Sequence, residues 1–269
     1  MLLGSTGQPI PLVLSWGPFS AWRFLEGIHW GNDTDPFRLV LWLSVIPGIL
    51  AVLAFLTLVR DPEHSPNPGL RFFSSLWWLP ARFKRYLLAI GIFGIGDFSH
   101  SLLIMAATTL LTPTYGIIHA AQIAGLLYVW RNIVQVVASY PAGALADKVG
   151  QYSVLVSGYF MGVFTALLTV LAFWFKTDSI AFLTVIFLVA GLYVAVQESL
   201  ELTVTAEMVS PDRLAMSYGA LGTVNGVARF ISSTVVGILW TTFSPVLGFG
   251  LAAVAMVSGT IILFVNRKK

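Results

Sequence analysis

The sequence predicts an all-α membrane protein, a polytopic bundle of transmembrane helices, and three observations support this fold class. Hydrophobic residues make up 57% of the 269 residues and charged residues only 10%, proportions outside the usage of soluble domains. The mean hydropathy is +0.84. The apolar residues also form runs of about 20, the helix length that crosses about 30 Å of hydrocarbon. The lipid bilayer is therefore the first expected partner.

Seven apolar runs each predict one spanning helix. In chain order they are residues 37–59, 86–111, 120–142, 153–175, 180–204, 214–240 and 245–265. An eighth run, 9–28, is interrupted by three prolines, an arginine and a glutamate, so a spanning and a non-spanning segment both remain open there. The expected organisation is one or two spans in residues 1–59, a linker in 60–85 and a six-helix bundle in 86–269.

The linker divides into two parts. Residues 60–69 are polar and proline-rich, which predicts an irregular tether. Residues 70–86 mix aromatic residues with arginine and lysine, which predicts a helix lying in the membrane interface. A regulatory or partner-binding helix is the alternative interpretation.

Lysine and arginine predict the orientation, because these residues favour cytoplasmic loops. Lys176 and Arg38 would lie on one side of the predicted topology. Ten basic residues would share the other side: Arg60, Arg71, Arg82, Lys84, Arg85, Lys148, Arg213, Arg267, Lys268 and Lys269. We therefore expect a multi-pass protein of the plasma (cytoplasmic, inner) membrane with a cytoplasmic C-terminus.

Charge and cysteine content exclude several classes of function. The pI is about 9.3, but the net charge is only +3 and the basic residues lie in short segments between helices, so nucleic acid is not an expected partner. The chain has no cysteine, which excludes disulfides, thiolate metal sites and cysteine catalysis.

Ionisable residues in the middle of spans are the candidate functional residues, because a charge in hydrocarbon costs about 3 kcal/mol or more unless it is paired or wetted. Pairs three residues apart, such as Asp97 with His100, are predicted to share a helix face. The full set is Asp97, His100, Arg131, Glu198, Glu201 and Arg229, with Asn225 one turn before the last.

The charged residues in the middle of spans include three carboxylates and two guanidinium groups, so one acid is expected to lack a fixed cation. A carboxylate in low dielectric without a permanent counter-ion can exchange a proton. Asp97, supported by His100, is the candidate because it lies deepest, whereas Glu198 or Glu201 would pair with Arg131 or Arg229. A static network that holds helices together is the alternative interpretation.

A short charged segment follows the third predicted span. Residues 143–150 read Gly-Ala-Leu-Ala-Asp-Lys-Val-Gly, which predicts a turn in water between two spans. The octet resembles the loop signature of the major facilitator superfamily, Gly-x-Leu-x-Asp-Arg/Lys-x-Gly-Arg/Lys. The matching positions are Gly143, Leu145, Asp147, Lys148 and Gly150. Gln151 stands where a basic residue is usual, so the octet is similar to the second, degenerate copy.

The resemblance implies a secondary carrier that moves a small solute or drug-like compound by alternating access. It implies that residues 37–59 are span six and 245–265 span twelve, and that Asp147 and Lys148 hold the cytoplasmic gate. The missing N-terminal spans, or a second copy of the chain, would then be a partner. A truncated non-transporting scaffold or one piece of a split carrier is the alternative.

An intramembrane enzyme is the remote alternative, with Asp97 and His100 as a catalytic pair or metal ligands. Two ligands are too few for a metal site, and the other three histidines fall in predicted loops. No enzyme activity, metal or cofactor is therefore expected. Aromatic residues such as Phe98, Tyr128 and Tyr193 would suit a hydrophobic substrate if they line a cavity, and they equally suit a lipid-facing surface.

Overall fold

The computed structural model describes residues 35–58 and 79–266, and all the regular elements in these two ranges are helices. This confirms the all-α fold class. The helices are α1 (Asp35–Leu58), α2 (Ala81–Gly94), α3 (His100–Val149), α4 (Gln151–Trp174), α5 (Ile180–Met208), α6 (Leu214–Thr242) and α7 (Pro245–Asn266). A 3-10 turn, Pro211–Arg213, precedes α6.

The last four predicted spans coincide with α4 to α7 to within a few residues at each end. Two of their starts are capped by serine side chains: at α5 the Ser179 hydroxyl accepts from the Phe182 N–H at 3.3 Å, and at α7 the Ser244 hydroxyl accepts from the Leu247 N–H at 3.2 Å. Among the described residues, five helices are long and apolar enough to cross a membrane, namely α3, α4, α5, α6 with its preceding turn, and α7.

Helix α3 is 50 residues long, about 75 Å at helical rise and too long for one crossing. It is broken at Gly116, whose φ of 74° is a left-handed value that glycine adopts without strain. His100 and Arg131 lie at nearly equal distances along the chain from Gly116, and their side chains are 2.9 Å apart. The segments 100–115 and 117–149 therefore fold back against each other in antiparallel directions.

The predicted continuous span 86–111 is wrong, because residues 95–99 interrupt it between α2 and α3. Helix α2 ends at Gly94, and α3 begins after Ser99, whose hydroxyl accepts from the Ser101 N–H at 3.2 Å. The interruption lies tightly against α7: a Cβ on Gly96 would overlap the Ala252 carbonyl oxygen and would lie 2.9 Å from the Met256 backbone nitrogen. Close backbone packing thus accompanies the break.

The predicted turn at residues 143–150 is also wrong for most of its length. Helix α3 continues to Val149, so only Gly150, with φ 100°, forms the corner before α4. The run Ala-Leu-Ala favours helix, and Ala146 packs in the core at 1% exposure, which holds the segment in helical form.

The bundle formed by α2 to α7 has its core between α4, α5 and α7, with α3 packed on α5 and α2 packed on α7 and α6. Phe93 meets Tyr159 edge-on at 4.2 Å between ring centroids. At the end of the bundle where α6 and α7 join, Phe173, Trp240 and Phe249 pack together. Many large apolar side chains stay exposed on the outside, as expected where lipid tails are the solvent.

Helix α1 corresponds to the predicted span 37–59, and each of its side chains that the structure describes is exposed. The predicted segment 9–28, the linker up to residue 78 and the three basic residues at the C-terminus lie outside the described residues. The division of the chain at residues 59 and 85 stays a prediction.

Candidate functional site

Asp97 lies in the interruption between α2 and α3, and its buried carboxylate forms an ion pair with a partly exposed arginine. Arg229 on α6 donates from Nε to Oδ2 of Asp97 at 2.8 Å. The carboxylate also precedes the first turn of α3, where the positive end of the helix dipole favours an anion. The expectation that Asp97 lacks a cation is therefore wrong. The predicted shared helical face with His100 is wrong as well, because residue 97 is not in a helix.

Glu201 on α5 is buried, and all the hydrogen bonds to its carboxylate come from neutral donors. Gln197 donates to Oε1 at 2.8 Å, the Tyr159 hydroxyl donates to the same oxygen, and Asn225 donates to Oε2 at 2.7 Å. Within the described residues, Glu201 forms no ion pair. Of the candidate acids, Glu201 is thus the buried one without a cation, whereas the sequence predicts that Glu198 or Glu201 pairs with an arginine.

Gln197 connects the two acids. Its side-chain oxygen accepts from Nη2 of Arg229 at 3.0 Å, while its nitrogen donates to Glu201. The ion pair and Glu201 therefore share one hydrogen-bonded network, which we call the Glu201 network: Asp97, Tyr159, Gln197, Glu201, Asn225 and Arg229.

Arg131 on α3 is the centre of a second group, although it contacts no carboxylate among the described residues. Its Nη1 donates to Oδ1 of Asn132 at 2.8 Å and to Oε1 of Gln135 at 2.9 Å. Its Nη2 lies 2.9 Å from Nε2 of His100. A guanidinium only donates, so His100 Nε2 must accept, and the ring proton is assigned to Nδ1.

Glu198 joins this second group through an amide. Gln135 accepts from Arg131 and donates from Nε2 to Oε2 of Glu198 at 2.5 Å. Glu198 is exposed, whereas Arg131 is only 3% exposed. We call this group the Arg131 cluster: His100, Arg131, Asn132, Gln135 and Glu198. The direct pairing expected of Glu198 with an arginine is replaced by a bridged one.

The seven candidate residues thus fall into two neighbouring networks. Tyr193 lies between them, since its buried hydroxyl faces the Asp97 carboxylate without a hydrogen bond of normal geometry. Asp97 and His100 are engaged with different arginines and do not bond each other. Among the described residues, no three His, Asp or Glu side chains converge on a position that could hold a metal ion.

Sequence reasoning missed the uncharged members, Tyr159, Gln197, Asn132 and Gln135. A usable signal was present for two of them, since Gln197 stands four residues before Glu201 and Gln135 four residues after Arg131. That spacing places two side chains together on a helix. Tyr159 carries no such signal, because its partner is on another helix.

The Glu201 network reaches the surface along one face of α6. The Arg229 side chain is 46% exposed, and Asn225 one turn earlier is half-buried. Gly222 and Gly226 continue the same face, and a Cβ added at either would meet nothing within 4 Å. Buried ions are therefore connected to an open, small-residue surface.

The residues of the octet lie at one end of the bundle. Asp147 and Lys148 are exposed, and neither forms an ion pair within the described residues. Leu145 is 50% exposed, and a Cβ added at Gly143 would meet nothing within 4 Å. The geometry leaves these side chains accessible to another element, and their role stays a prediction.

Comparison with known proteins gives two findings. The profile of the Major Facilitator Superfamily matches residues 89–269. An uncharacterized MFS-type transporter of Methanocaldococcus jannaschii is 30% identical over 223 residues, which cover 81% of this chain and 54% of that protein. The chain therefore spans about half the length of this curated relative.

Proposed function

The chain belongs to the major facilitator superfamily, and we propose that it acts in a secondary transporter that moves a small solute by alternating access coupled to protons. The resemblance carried by residues 143–150 is thereby confirmed at the level of the family. One observation carries the proposal: a partly buried ion pair and a buried carboxylate share a network that opens onto one face of α6.

Glu201 is the proposed proton carrier. Its oxygens are held by Tyr159, Gln197 and Asn225 rather than by a cation, so it can gain or lose a proton without breaking an ion pair. Gln197 would pass the change to Arg229, because an amide bonded to both groups must readjust when the charge of Glu201 changes. This is a local event that can bias a two-state helix bundle.

The accessible face of α6 is consistent with a transport path whose second wall comes from another set of helices. A carrier of this kind holds its solute between two six-helix bundles near the midplane, and this chain aligns with about half of its relative. We propose that further spans of the same protein, or a second copy of the chain, cover this face in the plasma membrane.

Residues 143–150 are the proposed cytoplasmic gate. Asp147 and Lys148 are exposed at the end of α3, where they are free to contact a helix terminus or an acid of the other bundle in one state and to release it in the other. The opposite end of the bundle has its own link, from the Thr114 hydroxyl to Asp178 at 2.6 Å.

Proton coupling is tested in liposomes that contain the protein and a pH-sensitive dye. Solutes of different charge are added outside, and the internal pH is followed. We expect at least one solute gradient to move protons in the wild type, and Glu201→Gln to abolish that movement while keeping the hydrogen-bonding shape of the side chain.

Glu207→Gln is the matched control, because Glu207 is an exposed carboxylate on the same helix. Liposomes that contain the Glu207→Gln variant should show the same solute-driven proton movement as liposomes that contain the wild type. If the internal pH of liposomes with the wild-type protein responds to none of the solutes, the result would favour a non-transporting scaffold. Equal coupling in Glu201→Gln and wild type would remove Glu201 from the mechanism.

A further inference from the structure

We propose that the Arg131 cluster binds an anionic group of the transported solute, a carboxylate or a phosphate. This inference rests on the proposed function, because it names the chemical class of the solute. Three features of the cluster lead to it: an arginine that contacts no acid among the described residues, unused hydrogen-bond donors beside it, and two members that reach the surface.

The first feature is the uncompensated charge of Arg131. Its contacts are the uncharged Asn132, Gln135 and His100, and the Tyr128 ring lies 5.8 Å from its guanidinium carbon. Arg229, in the neighbouring network, has Asp97 as a direct partner. A guanidinium at 3% exposure is unfavourable in low dielectric unless an anion accompanies it, so an arriving anion would gain from both charge and hydrogen bonds.

The second feature is the surplus of donors. The Arg131 Nε and the Asn132 Nδ2 are buried and have no hydrogen-bond partner in the described part of the chain. Both groups can only donate a hydrogen bond. Their common complement is a group rich in acceptor oxygens, as in a carboxylate or a phosphate.

A cationic solute fits this part of the bundle less well. The buried carboxylate of Glu201 already accepts three hydrogen bonds from Tyr159, Gln197 and Asn225, and Asp97 already holds Arg229. The buried acids therefore have hydrogen-bond donors around them, whereas the buried cation Arg131 still has an Nε donor without an acceptor. The charge that the site can still accept is negative.

The third feature is access. His100 is half-buried and Glu198 is exposed, so the cluster extends from Arg131 to the surface through both of them. Glu198 reaches Arg131 only through Gln135. An anion that bonds Arg131 directly would weaken this bridge, which connects solute binding to the arrangement of α3 against α5.

The test measures binding to the purified full chain in detergent, by the melting temperature read from tryptophan fluorescence. The probes are inorganic phosphate, succinate and, as a cation, choline, each against sodium chloride of equal ionic strength. We expect phosphate or succinate to raise the melting temperature in a saturable way and choline to have no effect. The comparison of phosphate with succinate distinguishes the two kinds of anion.

Variants locate the site. Arg131→Gln should abolish the anion effect, and Arg131→Lys and Asn132→Ala should each weaken apparent affinity about tenfold or more, since each removes at least one charge-assisted or donor contact. Arg213→Gln, which removes a cation near the start of α6, should bind as the wild type does. If Arg131→Gln does not fold, the proposal is judged from the affinities of Arg131→Lys and Asn132→Ala and from the preference of the wild type for anions over choline.

The proposal is overturned if neither anion stabilises the wild type beyond the chloride control, if choline does so instead, or if the Arg131 and Asn132 variants retain wild-type affinity. Those results would leave the liposome experiment on Glu201 unaffected. Conversely, anion binding at Arg131 without any solute-driven proton movement would sustain the site and remove the proton coupling.

Discussion

At the scale of single residues, the two members of the Asp97–Arg229 ion pair have unequal surroundings. The Asp97 side chain is 7% exposed and that of Arg229 is 46% exposed. Removing the arginine would leave a carboxylate buried without its cation, whereas removing the acid would leave a guanidinium that already reaches an open face. The pair should therefore respond differently to the loss of each partner.

We predict that Arg229→Gln lowers stability more than Asp97→Asn does, by roughly 1 to 3 kcal/mol for the former and less for the latter. The figure is below the cost expected for a fully buried pair because Arg229 is partly solvated. Melting of both variants in the same detergent provides the measurement, with the double variant as control. The double variant should be more stable than Arg229→Gln alone, and a larger loss in Asp97→Asn would refute the argument.

The sequence was sufficient to identify the charged members of the two networks but not their uncharged members or which of the charges pair. Polar residues such as Arg131 and Glu201 are conspicuous in apolar runs, because hydrocarbon penalises them. The pairing of Asp97 with Arg229 depends on which helices are neighbours and on the break at residues 95–99. Depth in a span, read from position alone, pointed to Asp97 as the unpaired acid, and the neutral donors around Glu201 made that inference fail.

At the scale of helices, the interruption between α2 and α3 is held by close backbone packing. Gly96 meets the backbone of α7, where a Cβ would overlap the Ala252 carbonyl. Asp97 follows directly, so the position of its carboxylate depends on how closely this segment approaches α7. The exposed Gly222 on α6 offers a contrast, since it has open space around it.

We predict that Gly96→Ala destabilises the bundle by about 1 to 3 kcal/mol, because backbone atoms of α7 cannot move aside as a side chain can. Gly222→Ala is the matched control. It adds the same methyl group to an open helical position, where alanine is favoured over glycine by up to about 1 kcal/mol, so it should leave the melting temperature unchanged or raise it. Equal losses in the two variants would show that the approach of Gly96 to α7 is not what the substitution disturbs.

Some of the helix boundaries could be predicted from the sequence and others could not. The spans that became α4 to α7 are uninterrupted apolar runs, which hydropathy detects directly. The interruption at 95–99 and the helical form of residues 143–149 depend on local backbone geometry and on packing against other helices, which an average over about 20 residues does not sense. Gly94 and Gly96, followed by the helix-capping Ser99, were the only local signal of the break.

At the scale of the whole molecule, the two ends of the bundle carry different contacts. At one end the Tyr152 hydroxyl donates to the Leu263 carbonyl at 2.8 Å, and the exposed Asp147 and Lys148 lie near the same corner. At the other end Thr114 bonds Asp178 at 2.6 Å. In the alternating-access mechanism that we propose, the two ends of the transport path open in turn, so weakening one end should favour the state that is open there.

The last prediction concerns the end of the bundle that the basic residues predict to be cytoplasmic. Asp147→Asn removes the charge proposed to hold the gate, so it should shift the population toward the state open to the cytoplasm. The chain has no cysteine, which makes Gly226→Cys on the open face of α6 a single reporter for a membrane-impermeant maleimide. In membrane vesicles of known orientation, Asp147→Asn should raise the labelling rate from the cytoplasmic side and lower it from the opposite side. Asp212→Asn removes an exposed charge near the start of α6 and should change neither rate. Unchanged rates in both variants would exclude Asp147 from the gate, because a residue that stabilises one state cannot be neutralised without changing the ratio between the two.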